Sequence, residues 1–186
     1  MTSVKVAFLV APAGVEQQEL TDPWRAVTDE GGTPELVSTT DGRVQAFHHL
    51  DRADTFPVDR TIDDVTAADF DALVLPGGVA NPDMLRLDAD AVAFVKGFFH
   101  AGKPVAAICH APWLLIEADM VHGRTVTSFP SLQTDLRNAG ATWVDEQVQV
   151  CDAGSNVLVT SRKPDDLKAF DTAFLAEFAK ASGESA

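Results

Sequence analysis

The sequence predicts an α/β protein: a three-layer α/β/α sandwich with a mostly parallel sheet and a nucleophile elbow. Two observations predict the sheet. Short apolar runs alternate along the chain with segments whose apolar residues recur at helical spacing, the pattern of strands joined by crossover helices. The strongest helical segment, "DADAVAFVKGFFHAGK", has Asp at its start and Gly102 near its end, which are ordinary start and stop signals. A third observation predicts the elbow: in "GKPVAAICHAPWLL", residues 102–115, a run of small and β-branched residues ends on Cys109-His110 just before a new helix.

In chain order, "VKVAFLVA" reads as a buried strand, and residues Glu16 to Glu30 follow as a helix broken or bent near Pro23 and stopped by a Gly pair. "PELVST" is a second strand. "DALVLPGG" is a third, entered through a short polar helix at "TAADF". The helix "DADAVAFVKGFFHAGK" leads into the strand "PVAAIC", and beyond the Cys-His pair come a helix "APWLLIEADMVHG", the short run "TVTS" and a helix "PSLQTDLRNAG". Two strand-like runs, "TWVDEQVQV" and "NVLVTS", flank "CDAGS", and "KPDDLKAFDTAFLAEFAK" closes the chain as a helix. The polar, turn-rich stretch "RVQAFHHLDRADTFPVDRTID", residues 43–63, breaks the alternation and reads as a hairpin or edge excursion. With no repeat and no linker, residues 1–186 are expected to form a single domain.

Composition excludes several classes of function. A chain of 186 residues with 46% hydrophobic residues can bury one good core. Its net charge of -14 leaves no basic stripe to displace the counterions of a nucleic acid, and repels phosphate-rich ligands. The 20 Asp and 8 Glu against six Lys keep the surface solvated, through ordinary solubility or adaptation to high salt. No apolar run approaches the roughly 18 residues of a membrane span, and the start lacks a basic region and long apolar stretch, so a cytoplasmic protein is expected. Two cysteines, Cys109 and Cys151, without a CxxC motif indicate neither a disulfide framework nor a zinc knuckle. His48, His49, Asp51 and Asp54 share no helix face and pair with no second cluster, so no metal and no cofactor is expected.

In an open α/β sheet, ligand chemistry collects at the carboxyl ends of the strands, where Cys109 falls. A nucleophile on a strand-to-helix turn is held above the sheet with backbone N–H groups and the positive end of the helix pointing at it. That placement is expected to lower the thiol pKa from about 8.5 toward the roughly 3.5–7.5 range of reactive cysteines. His110 can serve the thiol as acid or base, and its backbone N–H, with that of Gly78 in the paired glycines Gly77-Gly78, can form an oxyanion hole. Glu16 and Glu19 lie one helical turn apart on one face, and either can aim at the sulfur. A buried carboxyl of raised pKa there can donate a hydrogen bond to the thiolate and shuttle protons.

"FDALVLPGG", "GKPVAAICHAP", "DLRNAGATWVDEQV" and "VTSRKPDDL", in this order and spacing, resemble the PfpI-like intracellular cysteine peptidase and stress-protein family, within the class I glutamine amidotransferase-like fold group. The resemblance covers nearly the whole chain. It implies a flavodoxin-like sandwich, a homodimer often assembled into a hexamer, a nucleophilic Cys109 with His110, a thiol-contacting Glu19 with Glu16 beside it, and an acid contributed by a neighbouring subunit, which in this sequence is Asp83. Three departures stand out: Ala111 where Gly is common, Asp83 where some relatives carry the longer glutamate, and the long 43–63 insertion. The only histidine after the elbow is His122, without the His-x-Glu pattern of amidotransferases, which disfavours that activity. Three readings follow: a cysteine-dependent glyoxalase or deglycase acting on carbonyls such as methylglyoxal, a cysteine peptidase on the same thiolate, or a non-catalytic redox-sensing or chaperone-like stress protein.

Overall fold

The computed structural model describes residues 4–181 and 183. In chain order the elements are β1 (Lys5–Val10), β2 (Ala13–Glu16), α1 (Gln17–Asp29), β3 (Thr33–Ser38), β4 (Arg43–His48), β5 (Asp51–Pro57), β6 (Arg60–Thr61) and β7 (Ala72–Leu75). Then come α2 (Ala80–Leu85), α3 (Ala89–His100), β8 (Val105–Ile108), α4 (Pro112–Glu117), β9 (Thr125–Val126), α5 (Gln133–Asn138), β10 (Thr142–Trp143), β11 (Val148–Cys151), β12 (Leu158–Ser161) and α6 (Leu167–Ala181).

Seven strands form the central sheet in the order β11-β12-β8-β7-β1-β3-β6, parallel except for β11, which pairs antiparallel with β12. The inner strands are covered on both faces, which is why β7 and β8 read as unbroken apolar runs. Side chains alternate across the sheet with period two. Ala7 and Leu9 of β1 enter a core with Phe94, Phe98 and Leu114 on one side, while Val6, Phe8 and Val10 enter a second core with Leu20, Phe170 and Phe174 on the other. Helices on both faces make the three-layer sandwich. No helix among the described residues is long and apolar enough to cross a membrane.

Several local expectations are corrected. Helix α1 runs unbroken through Pro23, whose buried ring sits on the packed face and replaces a lost backbone hydrogen bond with apolar contact. The chain just before α1 is a strand, β2, which pairs with β4; the register shifts at Gly14, whose positive φ hides the strand pattern. The segment after the elbow yields only the six-residue α4, because Asp119 turns left-handed (φ 57°) and Met120 N–H bonds back to Leu115 C=O. "TWVDEQVQV" divides into β10, paired with β9 in a separate ribbon, and β11. Residues 43–63 do contain a hairpin: β4 and β5 pair antiparallel and join β2 in a three-stranded side sheet, and β6 then returns to the edge of the main sheet.

Candidate active site

Strand β8 delivers Cys109 to the carboxyl edge of the sheet, where its backbone turns left-handed (φ 64°). For a residue with a Cβ this costs on the order of 1–2 kcal/mol, and the surroundings must hold it. They do so from three directions: Cys109 N–H donates to Ser161 C=O of the neighbouring strand (3.1 Å), Phe129 N–H donates to Cys109 C=O (2.8 Å), and Ala111 N–H closes the turn on Ile108 C=O (3.0 Å). The thiol then faces a cavity of about 520 Å³, walled by Glu16, Glu19, Val79, His110 and Phe129, with Leu50 at its mouth.

Four groups converge on the sulfur. His110 Nδ1 lies 3.1 Å from Sγ. The backbone N–H groups of Gly78 and His110 lie near enough to favour its charged form. The fourth is the carboxyl of Glu19, fully buried and lining the same cavity, close enough for its charge to act on the thiol. Its Oε2 accepts the N–H of Gly77 (2.9 Å), and Oε1 has no hydrogen-bond partner among the described residues. Of the two glycines, Gly77 gives its amide to Glu19, and the Gly78 amide acts on both Glu19 and Cys109.

The electrostatics differ from the expected depressed thiol. Burial raises the Cys109 thiol above its ordinary range, and the adjacent Glu19, by charge and by hydrogen bond, raises it further; the two amides oppose this but do not overcome it. Helix α4 has six residues, too short to reverse a desolvation of this size. Burial also lifts the Glu19 carboxyl from 4.5 to about 8, opposed by its hydrogen bond with Cys109. The pair thus keeps at least one proton at neutral pH. Burial lowers His110 from 6.5 to about 4, so its ring is neutral at pH 7.

Glu16, the last residue of β2, holds the hairpin tip: its Oε2 accepts His49 N–H (2.9 Å), and Oε1 lies 3.6 Å from His48 Nδ1. Asp83 projects from α2 and pairs with Arg86 (2.6 Å). Within one chain it approaches His110 only indirectly, since the Arg86 guanidinium stacks 4.9 Å over Trp113, whose ring meets His110 edge-on at 5.2 Å. Cys151 lies buried on β11, and His122 packs against Gly140, both outside the cavity.

Three neighbours of the imidazole carry no sequence signal of their own. Phe129 stacks on the ring (centroids 4.6 Å apart), Trp113 meets its edge, and Ser131 Oγ lies 3.3 Å from Nε2. Phe129 and Ser131 sit in "TSFPS", whose aromatic residue in an otherwise polar turn is the one available hint.

Residues 4–177 match the DJ-1/PfpI family. The chain belongs to that family. It is 43% identical over 161 residues to general stress protein 18 of Bacillus subtilis, covering 87% of this chain and 90% of that one. To the protein named deglycase PfpI of Pyrococcus furiosus it is 38% identical over 172 residues, 92% of this chain and 98% of the relative. Among solved structures, a two-domain protein of Anabaena variabilis with DJ-1/ThiJ/PfpI-like and ferritin-like domains superposes with a TM-score of 0.83 at 35% identity; the match covers 92% of this chain and 49% of that larger one. In this DJ-1/PfpI chain the cavity thus holds a thiol, a protonated acid, a neutral imidazole and two amide donors. That set suits covalent chemistry at a carbonyl carbon.

Proposed function

We propose that this DJ-1/PfpI protein is a cofactor-free, cysteine-dependent enzyme of reactive carbonyls such as methylglyoxal, working as a glyoxalase or protein deglycase in the cytoplasm. The observation that carries the reading is the convergence of Cys109 Sγ and His110 Nδ1, 3.1 Å apart, with the fully buried Glu19 carboxyl at one cavity.

In the proposed reaction, the Cys109 thiol gives its proton to His110 Nδ1 as Sγ attacks the aldehyde carbon of methylglyoxal. The carbonyl oxygen becomes an alkoxide between the N–H groups of Gly78 and His110, and takes that proton back from His110 to give a hemithioacetal. Neutral His110 then removes the hydrogen on the thiol-bearing carbon while Glu19 gives its proton to the neighbouring carbonyl oxygen, forming an enediol; His110 returns its proton to the neighbouring carbon, and Glu19 regains one from the hydroxyl on the thiol-bearing carbon. The product is a lactyl thioester. Water, deprotonated by neutral His110, opens it to lactate and frees the thiol. For a glycated amine, the thiol displaces the amine at the same carbon, the amine leaves protonated, and the sequence continues from the same hemithioacetal.

The test is proton NMR of methylglyoxal in an amine-free buffer, with the unaltered protein and with Cys109→Ala. Lactate forming only with the unaltered protein is the expected result; no lactate at high enzyme concentration overturns it.

Assembly belongs to the same reading: the chain works as a homo-oligomer in which Asp83 of the partner subunit approaches the cavity. Its support is the exposure of Leu50, Val79, Met84 and Leu87 at the cavity mouth and along α2 and the turn after it. A peptidase reading draws on a second cavity, about 460 Å³, that shares Glu16, His49, Phe129 and Pro164 with the first and lengthens the cleft. Cys109-dependent cleavage of a fluorogenic peptide, in the absence of lactate formation, favours it.

A further inference from the structure

His110 is held at both nitrogens, on one face and at one edge. Nδ1 meets Cys109 Sγ at 3.1 Å, Nε2 meets Ser131 Oγ at 3.3 Å, Phe129 stacks on the ring and Trp113 closes on its edge. A ring held this way cannot choose its partners by rotation, so each nitrogen's role is decided by the group it faces.

We infer that Ser131 is a positioning residue for His110: its hydroxyl oxygen accepts the Nε2–H and so fixes the tautomer whose Nδ1 lone pair faces the Cys109 thiol. An imidazole without a charge carries one N–H. The thiol, buried beside a carboxyl, retains its hydrogen and must donate it, which makes Nδ1 the acceptor and leaves the N–H on Nε2. Buried without a partner, that N–H would cost about 1–3 kcal/mol. Ser131 supplies the acceptor from an exposed position, with its own O–H free to turn to water. When Nδ1 takes the thiol proton, a thiolate and an imidazolium form with no change in total charge, and Ser131 Oγ continues to hold the Nε2–H. On addition to a carbonyl, the same proton passes from Nδ1 to the new alkoxide.

The inference deepens the proposed function, since it concerns the base acting on the same thiol, and it assigns within one chain the contact that the resemblance gives to Asp83 of the partner subunit. The titratable groups around the ring are Cys109, Glu19, Glu16 and His49 in the cavity, with Arg86 and Asp135 reaching it only through Trp113.

The test needs no carbonyl substrate, so it stands or falls apart from the activity. Long-range proton–nitrogen NMR at pH 7 reads which His110 nitrogen carries hydrogen, and iodoacetamide labelling followed by peptide mass spectrometry reads Cys109 reactivity against pH. Expected are a protonated Nε2 and, in Ser131→Ala, labelling slowed about fivefold at pH 7 with its midpoint moved to higher pH, the worth of one hydrogen bond; Ser131→Thr restores both. A hydrogen on Nδ1 in the unaltered protein, an unchanged profile in Ser131→Ala, or a profile moved by Asp83→Asn alone overturns the inference.

Discussion

Gly77 has no space for even a methyl group: a Cβ there would stand 2.6 Å from Cys109 Cβ and 2.8 Å from Ile108 O, and would also strike Glu19 Oε2. Gly77→Ala is therefore expected to lose about 1–3 kcal/mol in urea unfolding, and to slow labelling of Cys109 by separating the acid from the thiol. Glu19 has a consequence of opposite character. Folded, it keeps its proton up to about pH 8, against 4.5 ordinarily, so between these values the folded chain binds a proton that the unfolded chain releases. Its contribution to stability is complete below pH 4.5 and is lost as pH rises through 8. Glu19→Gln cannot titrate, so from pH 5 to pH 8.5 it should lose less unfolding free energy than the unaltered protein, by an amount on the order of a few kcal/mol. Equal losses in both would mean that the acid is ionised throughout. Cys109, His110 and Gly78 are legible in the sequence, because the strand-end rule places an elbow and the loop after the first strand at one edge of a parallel sheet; the same rule leaves Glu16 and Glu19 equal, and only the family resemblance singles out Glu19. Ser131, Phe129 and Trp113 are not legible, since each reaches His110 through a tertiary contact with no spacing to announce it. The thiol's shift was misjudged for a related reason: motif spacing reports an adjacent helix, whereas the depth of burial depends on the whole fold.

At the level of elements, the hairpin β4–β5 is the most exposed part of the site. Its tip turns through His49, left-handed at φ 56°, and Glu16 Oε2 is the acceptor that holds His49 N–H. Leu50 beside it projects 94% exposed at the cavity mouth. Glu16→Ala should free the tip, so that the His49 amide exchanges with deuterium about fivefold faster, as expected for one lost hydrogen bond, while amides of β1 and β7 keep their protection. Faster exchange throughout β1 would instead place Glu16 among the groups that hold the main sheet. The hairpin and the central strands were legible because their patterns are local, alternation in one and continuous apolar runs in the other. Strand β2 and the division of β10 from β11 were hidden, because short strands with a positive-φ glycine or a polar middle are defined by their partners.

The whole molecule combines a net charge of -14 with large apolar side chains left in solvent, Leu87 at 85% exposed and Leu50 at 94%. These features act against each other when two copies meet. Burying apolar groups favours association by about 25 cal/mol per Å², whereas two acidic chains repel over a Debye length of about 10 Å at 0.1 M salt and about 3 Å at 1 M. Charge can therefore set where the balance falls, and added salt should strengthen assembly. In sedimentation velocity at a fixed protein concentration, the expected result is a shift toward dimers or larger species from 50 mM to 500 mM sodium chloride. Leu87→Glu should reverse it by removing apolar area and adding a like charge at the same place. The opposite salt dependence, dissociation at 500 mM, would mean that ion pairs hold the copies together. The exposed Asp83–Arg86 pair on α2 would then be the first contact to examine, because a charge that bridges two subunits is weakened by the same screening that helps an apolar face.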